Sequence, residues 1–129
     1  MDAAVLFISP YLQDARVIGL MLAEASLVLI HATCLKDAIN RLEVDRFPAV
    51  LTEARLEDGT WRDLLPLIRS QGAELVVTDA SADARFWAEA INLGAYDLLV
   101  QPFQENEVRR VLSSALARCK GVKKGTAAS

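Results

Sequence analysis

Residues 75–100 read LVVTDASADARFWAEAINLGAYDLLV. An apolar run with β-branched residues, Leu75–Thr78, is followed by a helical stretch from Ala84 to Leu93, then Gly94, then a second apolar run, Leu98–Val100. Neither run alternates polar with apolar positions, which is the pattern of a strand covered on both faces, and Gly94 stands where a left-handed residue closes a helix. This is a strand–helix–strand unit, and the pattern continues toward the N-terminus. Val5–Ile8, Leu27–His31 and Ala49–Thr52 are further strands of the same kind. Between and after them, Leu35, Ala38, Ile39 and Leu42, and later Val108, Val111, Leu112, Ala115 and Leu116, keep the three- and four-residue spacing that aligns one helix face. Gly72 closes a third helix, Thr33 precedes the second, and Thr60 with Asp63 forms a capping pair. Pro66 removes a backbone donor and predicts a late start or a kink in the third helix. Five strands alternating with five helices give an α/β single domain, a parallel sheet with helices on both faces.

Composition agrees. A chain of 129 residues, 53% hydrophobic and 24% charged, has the size and balance of one globular domain. The longest unbroken aliphatic run is Leu27–Ile30, and Met1–Ile8 lacks the basic start of a secretory signal, so the expected location is cytoplasmic, with no membrane contact. Cys34 and Cys119 lie far apart, and His31 is the only histidine, which excludes zinc and disulfide frameworks. Four of the 14 basic residues (Arg118, Lys120, Lys123, Lys124) fall in the last dozen positions, so residues 1–117 hold ten against all 17 acidic ones. So acidic a body repels a phosphate backbone, and no nucleic acid is expected to bind it. The domain is expected to span 1–119, with 120–129 a flexible basic tail or the stub of a linker.

In an open parallel sheet, function sits at the carboxyl ends of the strands. The residues there are Ser9 and Pro10, Glu53, Thr78 and Asp79, and Gln101 and Pro102. No glycine-rich loop follows the first strand, so a nucleotide or dinucleotide would find no backbone cradle. The segments VLFIS, PAVLTEARLEDG, ELVVTDAS and above all NLGAYDLLVQPF resemble the response-regulator receiver domain, the CheY-like module of two-component signalling. The likeness covers residues 3–117 and is most specific from Gly94 to Phe103, which is similar to the family's GAYDFLxKPF ending.

That resemblance implies a five-stranded sheet of order 2-1-3-4-5, a flavodoxin-like fold, and a cis peptide bond before Pro102. It also implies five active-site positions. Where the family places two Mg2+-binding acids, this chain has Ser9 and Pro10; where it places the phospho-acceptor aspartate, Glu53; where it places the lysine, Gln101. The hydroxyl position falls on Thr78, although counting back from Gly94 puts Asp79 in that register. Phosphoryl transfer to a carboxylate depends on charge neutralisation by metal and lysine, and neither proline nor a lone hydroxyl supplies a metal site. Glu53 would be left as the principal charge of a polar pocket, accepting hydrogen bonds from Ser9, Thr78 or Gln101, with its carboxylate partly filling the space of an acyl phosphate. The implied protein is therefore a degenerate receiver: not an enzyme, without cofactor or Mg2+, acting by protein–protein interaction independently of phosphorylation. Two alternatives stand beside it, a phosphorylatable receiver served by a histidine kinase and a flavodoxin-like enzyme binding a small cofactor.

With the pocket disarmed, function falls to the surface. Along the fourth helix Ala88 and Ile91 fit a core face, while Phe86, Ala90 and Leu93 form a neighbouring stripe. The apolar arc is wider than one face needs. Phe86, Trp87, Ala90 and Leu93, with Leu98 on the fifth strand at the family's aromatic switch position, are therefore candidates for a surface that binds a protein partner or a second copy. The resemblance places that surface on helix four, strand five and helix five.

Overall fold

The computed structural model describes residues 3–81 and 83–128, with their side chains except those of Ala3 and 119–128. In chain order the elements are β1 (Ala3–Ile8), α1 (Leu12–Ala23), β2 (Leu27–Ala32), α2 (Leu35–Val44), β3 (Ala49–Glu53), α3 (Leu65–Gln71), β4 (Glu74–Asp79), α4 (Ala84–Leu93), β5 (Asp97–Val100) and α5 (Glu105–Ala128). All five strands are parallel, in the order β2-β1-β3-β4-β5. The fold class and strand order expected from the sequence are those observed. The last helix runs past residue 119, the domain boundary expected from the sequence, to Ala128.

Consecutive strand residues serve two different cores, which is why the strands read as unbroken apolar runs. Val5 and Phe7 point to a core with Ile18 and Leu22 of α1 and Val108, Leu112 and Ala115 of α5. Leu6 and Ile8 point the other way, to Ala38 and Leu42 of α2, Leu64, Ile68 of α3 and Ala90 of α4. Every residue of β3 is buried.

Pro66 acts as the sequence predicts. A 3-10 turn, Trp61–Leu64, precedes α3, and the proline falls in the first turn of the helix, where its missing N–H leaves no bond unmade. The Asp63 carboxylate accepts the Thr60 N–H at 3.0 Å.

Two features were not legible in the sequence. Between β3 and the 3-10 turn, Arg55–Leu56 and Gly59–Thr60 pair as a small antiparallel hairpin. Its tip caps a distant helix: Asp58 Oδ1 and Oδ2 accept the N–H groups of Leu35 and Lys36 at 2.9 and 3.0 Å, where neither Thr33 nor Cys34 supplies a side-chain cap. Those two donors hold the Asp58 carboxyl below its ordinary range. A Cβ on Gly59 would stand 2.6 Å from both Asp63 Oδ2 and Leu35 Cδ2, so only glycine lets the hairpin come this close.

The orientation of α4 corrects the sequence reading. Ala90 is fully buried and Phe86 is half-buried, its ring edge-on to Trp61 at 6.3 Å, whereas Ala88 and Ile91 are exposed. At 100° per residue, a helix that turns Phe86 and Ala90 inward must turn Ala88 outward. The helix is fixed in this rotation by Asp83, which accepts the Phe86 N–H at 2.9 Å, and on its α3 side by an Arg62–Glu89 ion pair and an Arg69 hydrogen bond to the Leu93 carbonyl. Two of the surface candidates, Ala90 and Leu98, are thus core residues, and Phe86 is largely one.

Gly94 closes α4 at φ 119°, and a Cβ there would lie 2.8 Å from Arg69 Nη2. Gly94→Ala is expected to cost about 1–2 kcal/mol of stability. Gly19, inside α1, where a Cβ would meet nothing within 4 Å, is the control. Gly19→Ala should gain roughly 0.5–1 kcal/mol. Urea denaturation of the two variants checks both signs.

Candidate functional site

Because the strands are parallel, their carboxyl ends gather at one edge, and pairing brings Glu53 beside Thr78. A cleft of about 340 Å³ opens there, lined by Tyr11, Glu53, Arg55, Asp79, Ala80, Ser81 and Gln101. An adjoining, more apolar cleft of about 480 Å³ shares Ala80 and Gln101 and adds Asp14, Val17, Pro102 and Phe103. The Gln101–Pro102 peptide bond is cis.

Gln101 organises the floor. Its amide nitrogen donates toward Glu53, 3.2 Å from Oε2 and 3.4 Å from Oε1, and stands 3.2 Å from Thr78 Oγ1. The Thr78 hydroxyl gives its own proton to the Leu99 carbonyl at 2.8 Å, which leaves a lone pair for that amide. Thr78, rather than Asp79, therefore belongs to this network. Asp79 Oδ1 instead accepts from the N–H and the hydroxyl of Ser81, at 3.1 and 3.2 Å.

Ser9 does not reach Glu53 as expected. Its side chain is fully buried, its hydroxyl oxygen accepts the Tyr11 N–H at 3.1 Å, and its carbonyl accepts His31 Nε2–H at 2.8 Å. The residue is spent on the turn from β1 into α1. Pro10 is exposed and lines neither cleft. Of the three donors expected for Glu53, the structure supplies Gln101 alone.

Glu53 is 8% exposed. Burial pushes its carboxyl up to about 7; the Gln101 hydrogen bond opposes this, and repulsion from Asp14 and Asp79 adds to it. Arg55, at the mouth of the cleft, and Asp14, from α1, went unread in the sequence. Arg55 was recoverable, since positions two apart at a strand end share a face, as Glu53 and Arg55 do. Asp14 had no such signal, because its approach depends on the angle at which α1 leaves the sheet.

The chain matches no protein-family model and no curated protein sequence. Solved structures do match. The signal receiver domain of an HD domain-containing protein from Pseudomonas fluorescens Pf-5 superposes with a TM-score of 0.84 at 21% identity, over 95% of this chain and 93% of that one. This chain has the receiver fold. A CheY-like response regulator receiver domain protein from Methanospirillum hungatei JF-1 gives 0.83 at 14% identity, over 94% and 98%. The beryllofluoride-activated NtrC4 receiver domain dimer gives 0.83 at 19%, over 90% and 98%. The receiver fold thus extends over nearly the whole chain.

A carboxyl raised from 4.5 to about 7 by folding binds its proton more tightly in the native state. Native stability is therefore full below the unfolded value and falls as pH rises toward about 7, then levels off. Because water at the cleft mouth screens the carboxylate, the loss should be on the order of 1–2 kcal/mol. Glu53→Gln is expected to flatten this dependence, as read from urea unfolding between pH 5 and 8.

Proposed function

We propose that the chain is a signalling module of the receiver type that works through protein contacts and does not take up a phosphoryl group by Mg2+-dependent chemistry. The observation that carries this reading is the donor set at the carboxyl edge. Mg2+ requires a near-octahedral set of oxygens with carboxylates among them. Here the Ser9 hydroxyl is committed to the Tyr11 N–H, Pro10 offers no side-chain donor, and among the described residues no three His, Cys, Asp or Glu side chains converge as a metal site. These residues do not fit the ion. Nor does Gln101 bring the positive charge that would neutralise an acyl phosphate; it brings an amide, and spends it on Glu53 and Thr78.

The surface supports the second half of the proposal. Trp87 and Ile91, one turn apart on α4, are 52% and 37% exposed, and Val100, on the strand that ends the sheet, is 51% exposed. Exposed aromatic and aliphatic side chains in one region favour association. The NtrC4 receiver, similar in fold, is a dimer in its beryllofluoride-activated form. In this chain α4 is held to the preceding 3-10 turn by Arg62–Glu89 and Trp61 against Phe86, and to α3 by Arg69 to the Leu93 carbonyl, which keeps the face displayed without a phosphorylation signal. The α4–β5–α5 face is accordingly the proposed contact surface, for a protein partner or a second copy.

Incubation with acetyl phosphate and Mg2+ should leave the intact mass unchanged, and a phosphoryl adduct on Glu53 would overturn the reading. In sedimentation or pull-down, Trp87→Glu is expected to weaken association at least tenfold, about 1.4 kcal/mol, while leaving the circular dichroism spectrum as it was.

A further inference from the structure

A nearly buried carboxylate with a single amide donor is an unusual thing to keep at the floor of a cleft. Glu53 is faced by Asp14 from α1, by Asp79 at the end of β4, by Arg55 from the hairpin, by the Tyr11 phenol ahead of α1 and by the uncharged amide of Gln101 after β5. Burial and two like charges oppose its ionised form, and the Gln101 amide favours it. The amide nitrogen of Gln101 is divided between Glu53 and Thr78, and the residue lines both clefts. The preceding residue is Val100, exposed on the strand that ends the sheet.

We propose that Glu53 is a proton-operated input, whose ionised form holds the Gln101 amide more strongly than its neutral form does, so that the end of β5 has two hydrogen-bonded states. The inference rests on the reading of the chain as a signalling module and names what its pocket responds to. A hydrogen bond to a charged acceptor is roughly twice as strong as one to a neutral acceptor. Proton uptake therefore weakens the Glu53 side of the divided amide and leaves the Thr78 side as it was. The burial that lifts the Glu53 carboxyl to about 7 places this exchange near neutral pH. The group lost with the proton is a formal charge facing Asp14 and Asp79, so uptake also relieves repulsion within the cleft.

The test is an NMR titration of the full chain from pH 5 to 9. The Glu53 side-chain carboxyl carbon should titrate near 7, and the Gln101 side-chain amide and the Val100 backbone amide should follow with the same midpoint. Asp79→Asn should move that midpoint toward acid, and Glu53→Gln should abolish the transition at Gln101 and Val100. A Glu53 midpoint in the ordinary carboxylate range, Gln101 and Val100 signals that do not follow Glu53, or a transition that persists in Glu53→Gln would each overturn the proposal. If Glu53→Gln fails to fold, the direction of the Asp79→Asn shift decides. A phosphoryl adduct on Glu53 would overturn the proposed function while leaving this titration as it is, so the two can fail separately.

Discussion

The structure depends on one constraint: its central strands are covered on both faces. Once Val5 and Phe7 are committed to the α1–α5 side and Leu6 and Ile8 to the α2–α4 side, no polar side chain can stand along β1 without an unpaired buried group. In the central strands polar residues stand at the ends, Glu74 at the start of β4 and Thr52, Glu53, Thr78 and Asp79 at the carboxyl ends of β3 and β4. Glu53, Thr78 and Gln101 converge there because the strands are parallel and end at nearly the same level. The cleft is thus a product of the fold's boundary, and its chemistry is free to change while the two cores stay fixed.

That freedom lets the receiver fold be kept while the side chains at its carboxyl edge vary. The backbone frame is set by packing and by pairing of β4 with β5. The side chains in it are balanced against one another. Burial penalises the ionised form of Glu53, the Gln101 amide offsets only part of that cost, and Asp14 and Asp79 add repulsion, so the carboxyl is pushed up to about 7. Ser9, in turn, serves the β1–α1 turn.

Reading the sequence recovered what depends on local pattern. Consecutive apolar residues gave the five strands, Gly72 and Gly94 marked the left-handed ends of α3 and α4, and Pro66 marked the break before α3. What it missed depends on approach between distant segments. The hairpin has two residues per strand, too few to show a period, and Asp58 caps a helix more than twenty positions earlier. On α4 two apolar stripes competed, and only the contacts to the 3-10 turn and α3 decided that Phe86 and Ala90, not Ala88 and Ile91, turn inward. At the site, the pairing of Gln101 with Glu53 was among the options the sequence left open, whereas the intrusion of Asp14 was not visible at all.

The cap supplied by Asp58 gives the short hairpin a role out of proportion to its size. Residues 55–60, apart from the buried Leu56, have the composition of a surface loop that tolerates insertions, mostly exposed and rich in charge. Yet the first turn of α2 has its backbone donors met from that tip, and Gly59 fits there only because it lacks a Cβ. Lengthening the loop, or opening the chain within it for permutation or for grafting a tag, would uncap a helix that is distant in sequence. An engineer choosing a permissive point in this chain should leave the hairpin intact.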